Sequence, residues 1–305
     1  MRAVPAGDFT MGPDPFGHGA STDVRLSDII WMDETEVTNT EYVEALQWAW
    51  DNGLVQADSL HVWDDGLLLL DLGTGESLGG EIQFSVSEGL FSIVARSDTT
   101  AAGWGPGSAW PGSYLAAEHP VKMVTWYGAA SYCDWRSLRE GFTPYYNGDW
   151  SVSGAHSPYA AEGYRLLEGY RLPTEAEWEH ATRHDDGRLF PWGDAAPIGC
   201  EPLSNSTLCV GWTWAAGSEP AGASALGFLD LSGNVLEWCN DLYTASYPAG
   251  PLLDPMGPTT GTRRVLRGGD FGTAPITNSS GVTRQNGLPT SARPWIGFRT
   301  VRSLN

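Results

Sequence analysis

The chain has 305 residues, of which 37 are Asp or Glu and 17 are Lys or Arg, so its formal charge at pH 7 is −20. This acidic balance argues against nucleic acid as a partner, because binding to phosphates needs clustered Lys and Arg. The 38 Gly, 20 Pro and 15 Trp residues predict many turns and short elements held together by aromatic packing.

No apolar run approaches the roughly 20 residues of a membrane-spanning helix. Residues 1–12 also lack the apolar core of a signal peptide. We expect either a cytosolic protein or one from which a leader has been removed. In the second case a secreted, periplasmic or surface-anchored location is favoured over a cytoplasmic one.

The four cysteines show no C-x-x-C spacing, which argues against a zinc ribbon or thioredoxin-like chemistry. Cys200 and Cys209 flank a short loop that a disulfide could close. Four cysteines allow three pairings, and with Cys133 and Cys239 as the other two the pairing stays open.

The first 53 residues predict strands followed by a helix. Alternating apolar residues favour strands in DFTMG and VRLSDIIWMDETEVT. A capping box formed by Thr38 and Glu41 then starts a helix that ends at Gly53, with three residues at helical spacing predicted to be buried, namely Tyr42, Leu46 and Ala49.

Residues 54–118 predict an inserted β-hairpin region. Two apolar segments are each interrupted by a turn pair, Asp65-Gly66 and Glu88-Gly89, which is typical of hairpins. Residues rich in Ser, Thr, Gly and Pro follow up to His119. We find no cluster of chemically reactive residues in this region.

Two more helices are predicted in the middle of the chain. The first covers VKMVTWYGAASYCDWRSLREG, and its buried stripe is predicted to comprise Tyr127, Ala130, Ser131, Trp135 and Leu138. The second begins at a capping box formed by Thr174 and Glu177. His180 and His184 are four residues apart on it, as in metal-binding pairs, but an exposed polar helix end is the favoured interpretation.

The stretch from Arg264 to Arg302 predicts a long loop between two strands. RVLRGG and GFRTVR are the strand segments, with Val265 and Leu266 paired to Phe298 and Val301. Between them lie about two dozen residues rich in Gly, Ala, Ser, Thr, Asn and Pro. Few short helices and many strands predict an α+β fold with helices beside an antiparallel sheet.

Eight segments, in this order, resemble the formylglycine-generating enzyme (sulfatase-modifying factor) family: AGDFTMG, DETEVTN, HPVKMVTWYGAASYCDW, YRLPTEAEWEHA, FPWGD, GFLDLSGNVLEW, RVLRGGDF and GFRTVR. The resemblance runs from about residue 5 to residue 302. It implies one domain over residues 1–305, with residues 54–118 inserted in it. The implied fold is a C-type-lectin-like α+β fold with low regular secondary structure, small antiparallel sheets and two or three helices.

Enzymes of that family use two cysteines of the terminal loop, which bind copper and oxidise a sulfatase cysteine to formylglycine. Thiolates are the soft ligands that select Cu(I). When Arg284 is aligned with the family motif, the cysteine positions fall near Phe271 and Ile276, and no cysteine follows Cys239. We therefore expect neither copper nor the family's oxidase activity.

The segment DLSGNVLE resembles a calcium site of the family. The implied ligands are the Asp230 and Glu237 side chains with the Gly233 and Val235 carbonyls, an oxygen shell of the kind that Ca²⁺ prefers. We predict a structural calcium ion here. The alternative is a tight turn in which Asp230 is a cap and Glu237 pairs with an Arg. The family's second site is not expected, because Val210 stands where its acidic ligand belongs.

The terminal loop is the predicted binding site. Some relatives with this lectin-like fold are variable proteins whose loop is diversified by retroelements, and the loop here has a similar composition of small polar residues with apolar anchors. We predict a monomeric display protein that binds a protein or a small molecule through residues 270–296. The predicted contacts are Asp270, Phe271, Thr273, Ile276, Thr277, Asn278, Ser279, Gln285, Asn286 and Trp295.

Two alternatives stay open. One is an enzyme, either a formylglycine-generating-type oxidoreductase or one with altered chemistry in which Asp270, Arg284 and Arg293 act as acid, base or anion clamp. No nucleophile with an adjacent base is visible for it. The other is a structural or envelope role.

Overall fold

The computed structural model describes residues 1–13, 20–73, 80–94, 115–147, 168–197, 204–205, 212–272 and 280–303. Within these ranges it contains three α-helices, α1 (Asn39–Asp51), α2 (Trp126–Glu140) and α3 (Glu175–Arg183). The strands in the same ranges are β1 (Arg2–Val4), β2 (Gly7–Met11), β3 (Thr22–Leu26), β4 (Ile30–Met32), β5 (Gln56–Ala57), β6 (His61–Asp64), β7 (Leu67–Asp71), β8 (Ile82–Ser85), β9 (Leu90–Ile93), β10 (Leu236–Leu242), β11 (Leu252–Leu253), β12 (Arg264–Arg267), β13 (Gln285–Gly287), β14 (Ile296–Gly297) and β15 (Val301–Ser303).

The strands form small sheets rather than one large one. Their orders are β1-β4-β15, β13-β12-β10-β14, β11-β3-β2, β5-β6-β7 and β8-β9. All pairs are antiparallel except β10–β14 and β11–β3, which are parallel. The predicted α+β fold of small sheets and three short helices is confirmed.

The predicted helix starts are confirmed for α1 and α3. Thr38 and Thr174 each accept a hydrogen bond from the N3 amide, and Glu41 and Glu177 complete the two capping boxes. For α2 the prediction began too early, because Met123 has a φ of 60° and its carbonyl accepts from Asp71, so the helix begins only after Thr125.

Burial on the helices follows the prediction with one exception on α2. Tyr42, Leu46 and Ala49 of α1 are fully buried, as predicted. On α2 the first four residues of the predicted stripe are buried, but Leu138 is 44% exposed. Leu138 lies in the last turn of α2, next to the αL cap at Gly141.

Both predicted hairpins form within residues 54–94. β6 and β7 turn at Asp65 and Gly66, with φ values of 43° and 81°, and β8 and β9 turn at Gly89, with a φ of 66°. Phe84 and Phe91 of the second hairpin pack against Trp50 of α1. Residues 95–114 lie outside the described ranges, so the status of 54–118 as an insertion stays a prediction.

The predicted pairing of the two terminal segments with each other is wrong. β12 pairs with β10 and β13, whereas β15 pairs with β4 near the start of the chain. The reason lies in the core: Phe298 packs in one hydrophobic cluster and Val301 in another, so the segment divides between two sheets.

β10 lies between the two hydrophobic clusters, and every one of its residues is buried. Leu236 and Trp238 face the larger cluster, which includes α1, α2 and both hairpins, while Cys239 faces the smaller one beneath α3. A strand covered on both faces is a rigid base for the loops at its two ends. In the described part of the chain, no helix is long and apolar enough to cross a membrane.

Candidate functional site

The terminal loop is held by its two ends. β12 and β13 form an antiparallel pair, and Arg267 at the end of β12 reaches across the loop base to the carbonyls of Gly281, Val282 and Thr283, with donor distances between 2.6 and 3.1 Å. The same guanidinium bonds Glu179 of α3 at 2.6 Å. These contacts attach both sides of the loop to the scaffold.

Arg284 makes a second attachment on the far side of the loop. Its Nε and Nη2 donate to the two Glu175 carboxylate oxygens at 2.6 and 2.8 Å, and Nη1 donates to the Thr244 carbonyl. The ring of Tyr247 lies 4.2 Å from the guanidinium carbon. Arg284 is therefore a structural anchor, with its charge matched by a buried carboxylate.

Asp270 and Phe271 begin the loop, after two glycines with φ values of 94° and 75° at Gly268 and Gly269. The Asp270 carboxylate accepts from the Gly272 amide at 2.7 Å. Burial raises the pKa of Asp270 to about 6, although that hydrogen bond acts in the opposite direction. The carboxyl can therefore change its charge between pH 5 and 7.

Phe271 packs into the scaffold and is only 2% exposed. Its amide donates to the Asn234 carbonyl, and its ring centroid lies 5.6 Å from that of Trp212. Lys122 lies 3.7 Å from the Trp212 ring and 3.3 Å from the Glu81 carboxylate. Sequence reasoning did not connect Trp212, Lys122 and Glu81 with Phe271, because these residues come from segments that are distant in the chain.

The other predicted contacts do not gather at one point. Gln285 and Asn286 lie on the edge strand β13 and are partly exposed, whereas Trp295 precedes β14 at the opposite edge and packs against the larger cluster. Since neighbouring strands lie about 4.8 Å apart, the two edges are roughly 14 Å apart. The remaining predicted contacts lie outside the described residues: Thr273, Ile276, Thr277, Asn278 and Ser279.

The thiols of the described residues lie away from the loop. Cys133 and Cys239 are free, fully buried, and located on α2 and β10. Burial raises the pKa of both thiols well above the usual range, which suppresses the reactive thiolate. Cys200 and Cys209 lie outside the described residues.

Asp230, Gly233 and Val235 lie in the turn before β10, whereas Glu237 lies in β10 and is hydrogen-bonded by other groups. Its two oxygens accept from Arg299 Nε and Nη2, each at 2.7 Å, and one also accepts from the Trp178 indole. Asp230 has a φ of 59° and accepts from the Gly217 amide at 2.6 Å. Among the described residues, no three His, Cys, Asp or Glu side chains are arranged to hold an ion.

Glu36 is the residue that the sequence analysis missed at this turn. It is 1% exposed, and its Oε1 has no hydrogen-bond partner. Burial raises its pKa well above the usual range, and the neighbouring Asp230 and Glu237 carboxylates raise it further. Burial also raises the pKa of Asp230. Asp230 and Glu36 thus form a close pair of acids that lacks a full set of donors.

The exposed helix end predicted for His180 is wrong. His180 is 2% exposed, packs against Phe9 in a tilted arrangement and stacks on His184, with ring centroids 4.6 and 5.9 Å away. Burial lowers its pKa, and neither ring nitrogen has a hydrogen-bond partner. His184 instead contacts Asp185, so the two imidazoles do not converge on a shared ligand.

The fold and the positions of these motifs define the class of the protein. Residues 1–304 match the sulfatase-modifying factor enzyme 1-like domain. The chain therefore belongs to the sulfatase-modifying factor family.

Two relatives and two solved structures illustrate the similarity. Formylglycine-generating enzymes of Streptomyces coelicolor and Thermomonospora curvata are 28% and 29% identical, over 99% and 89% of this chain and 88% and 82% of their own. Treponema denticola variable protein 1 has a TM-score of 0.66 at 20% identity, covering 100% of this chain and 95% of its own. PvdO from Pseudomonas aeruginosa has a TM-score of 0.62 at 22% identity, covering 99% and 93%.

Proposed function

We propose that this protein binds a protein or small-molecule ligand through the loop of residues 270–296 and lacks the oxidase activity of its enzyme relatives. The observation that carries the proposal is the composition of the loop. No cysteine follows Cys239, and that thiol is buried in the sheet beneath α3. Copper and thiol chemistry would need thiolates that the loop cannot provide.

The scaffold supports a binding role. Arg267 and Arg284 fasten the two sides of the loop to α3, and loops on rigid scaffolds are frequent binding sites. One protein of the same fold is named a variable protein. Diversification of residues 270–296 by a retroelement is part of this proposal.

An oxidase remains the competing function, because the relatives at 28% and 29% identity are named formylglycine-generating enzymes. The discriminating experiment combines a Cu(I) titration with oxygen consumption on a cysteine-containing peptide. We expect no stoichiometric Cu(I) binding and no thiol-dependent oxygen uptake. Tight one-to-one Cu(I) binding with oxygen uptake would overturn the proposal.

Binding itself is tested on an array of purified surface proteins and glycans. A ligand of the loop should lose affinity for the variant Asp270→Ala and keep it for Leu90→Ala, which truncates a half-exposed side chain on the hairpin strand β9. A ligand whose affinity is unchanged by Asp270→Ala and reduced by Leu90→Ala would indicate binding at the β8–β9 hairpin instead. Sequences of sibling copies supply the second test, since diversification requires differences concentrated between Asp270 and Trp295.

We also propose that calcium binds at the turn of residues 230–237, with Asp230 and Glu36 as the acidic ligands. Calcium prefers oxygen ligands, and the Glu36 oxygen without a partner lies beside Asp230, whereas Glu237 is occupied by Arg299. The Gly233 and Val235 carbonyls remain candidate ligands. The ion would stabilise the turn without taking part in a reaction.

The calcium proposal predicts a change in melting temperature. Millimolar Ca²⁺ should raise the Tm of the wild-type protein, since an ion that binds only the folded state stabilises it. Glu36→Gln should raise the Tm without calcium, because it removes a buried acid beside Asp230, and should abolish the response. Magnesium at equal concentration is the control, and an unchanged wild-type Tm in Ca²⁺ contradicts the proposal.

A further inference from the structure

A cavity of about 250 Å³ lies at the end of β10 opposite to Asp270 and Phe271, which begin the terminal loop. The start of α3, the end of β10 and the segment 244–258 enclose it. Since a strand rises about 3.3 Å per residue, the seven residues of β10 separate it from Phe271 by roughly 20 Å. Its apolar wall includes Met11, Leu242, Tyr247, Leu252, Pro255 and Met256.

Two of the three charged residues in the wall satisfy each other. Glu175 receives both hydrogen bonds of the Arg284 fork and a third from the Tyr247 hydroxyl at 3.2 Å. The Nη1 of Arg284 donates to the Thr244 carbonyl. The charges of Glu175 and Arg284 therefore compensate each other.

Asp241 is the third charged residue, and it is incompletely bonded. Its Oδ2 accepts from the Glu175 amide at 2.9 Å, whereas within the described residues no donor contacts Oδ1. The side chain is nearly buried, with the residue 3% exposed. Oδ1 lies close to Gly257, where an added Cβ would stand 3.2 Å from it and 2.9 Å from the Asp241 Cβ, so only a glycine fits against this side chain.

The charges around Asp241 explain its titration. Its pKa is raised to about 8, mainly by burial and also by the carboxylates of Glu175 and Glu177, while the amide bond and Arg284 act in the opposite direction. The buried guanidinium of Arg264 also interacts with it. Asp241 is therefore mostly a neutral acid at pH 7, and a cation placed at Oδ1 would make it a carboxylate.

We propose that this cavity binds a small primary ammonium compound with an apolar chain, whose N–H group donates to Asp241 Oδ1. An ammonium group supplies a hydrogen-bond donor for Oδ1 and a positive charge that compensates the carboxylate. The Met, Leu and Pro side chains would contact the apolar chain of the ligand. At about 30 Å³ per water-sized atom, the cavity accommodates roughly eight such atoms. Arg284 of the loop segment lines this cavity, but none of the described contacts predicted for the loop does, and the proposal does not depend on the function proposed for the loop.

Calorimetric titration of the full chain with hexylamine and with 1-hexanol tests the charge. We expect hexylamine to bind at least about tenfold more tightly, since only the amine forms the ion pair. From a pKa of about 8, binding should release about 0.9 proton at pH 7 and about 0.1 at pH 9, measured in buffers of different ionisation enthalpy. Equal affinities, or no proton release at pH 7, overturn the proposal.

Three variants test the location. Asp241→Asn should remove the preference for the amine over the alcohol. Leu253 lines the cavity and is 66% exposed, so Leu253→Lys and Leu253→Glu change the charge at the entrance without disturbing the core. The lysine variant should weaken hexylamine binding several-fold, and the glutamate variant should preserve or strengthen it. If both bind hexylamine equally, the amine does not bind in this cavity.

Discussion

Arg299 and Glu237 are both fully buried and are joined by two hydrogen bonds of 2.7 Å. Arg299 also donates to the carbonyls of Asp33, Glu34 and Leu229, so one guanidinium joins segments from both halves of the chain. A buried ion pair is costly to break, since removing one partner leaves the other charge without compensation.

Arg299→Met should therefore lower the free energy of unfolding by roughly 3–5 kcal/mol, measured by urea denaturation. Arg2→Ala is the matched control, because it breaks the Arg2–Glu34 pair, whose side chains are 44% and 40% exposed. Exposed pairs contribute about 0–1 kcal/mol. Equal losses in the two variants would contradict the role assigned to Arg299.

His119 should make stability depend on pH. Burial, together with the Lys122 charge, lowers its pKa to about 3. An unfolded His has a pKa of about 6.5, so below that value the unfolded chain binds the proton first. The neutral His therefore contributes stability that is present above about pH 6.5 and is lost as the pH falls toward 3, by up to about 1.4 kcal/mol per pH unit.

Unfolding free energies measured by urea denaturation between pH 4 and pH 7 test this dependence. His119→Gln should flatten the curve relative to the wild type, although it removes the contact with Thr213. His61→Gln, at a side chain that is 44% exposed, is the control for the exchange of residue type. A curve for His119→Gln as steep as that of the wild type would assign the acid sensitivity to other groups.

At the scale of elements, α2 and β7 pack without space for a methyl group. A Cβ at Gly128 would stand 2.1 Å from the Leu69 carbonyl oxygen, a contact with backbone that cannot rotate away. Gly128→Ala should displace the helix from the strand and lower the free energy of unfolding by at least about 1–3 kcal/mol.

Gly7→Ala provides the comparison for Gly128→Ala. A Cβ at Gly7 meets nothing within 4 Å, so this variant should be neutral or slightly more stable, since alanine restricts the unfolded chain. Urea denaturation curves of both variants give the free energies of unfolding. An unchanged free energy for Gly128→Ala would show that α2 can shift away from β7 without loss of stability.

The elements that depend on neighbouring residues were predictable from the sequence. The capping boxes at Thr38 and Thr174 and the turn at Asp65-Gly66 each need only a few adjacent residues. The pairing of β15 with β4 was not predictable, because it joins residues about 270 positions apart and depends on which cluster receives Val301. The partners of Asp230 were missed for the same reason, since Glu36 is distant in sequence.

For the whole molecule, the formal charge of −20 predicts a response to salt. Excess carboxylates repel one another across the surface, and the folded state brings them closer together than the unfolded chain does. Raising NaCl from about 0.01 to 0.15 M shortens the screening length from roughly 30 to 8 Å. The Tm should rise over this range, with sucrose at equal osmolality as the control, and a falling Tm would show that favourable ion pairs dominate.

The sheet β1-β4-β15 also has a consequence for synthesis. β4 hydrogen-bonds to β1 on one side and to β15 on the other, so strands from the two extremes of the described chain are neighbours. While the ribosome is still producing the residues between them, one edge of β4 has no partner, and unpaired edges favour association with other chains. Release of residues 301–303 is thus the step at which this sheet closes, and nascent chains halted before it should aggregate more readily than the completed protein.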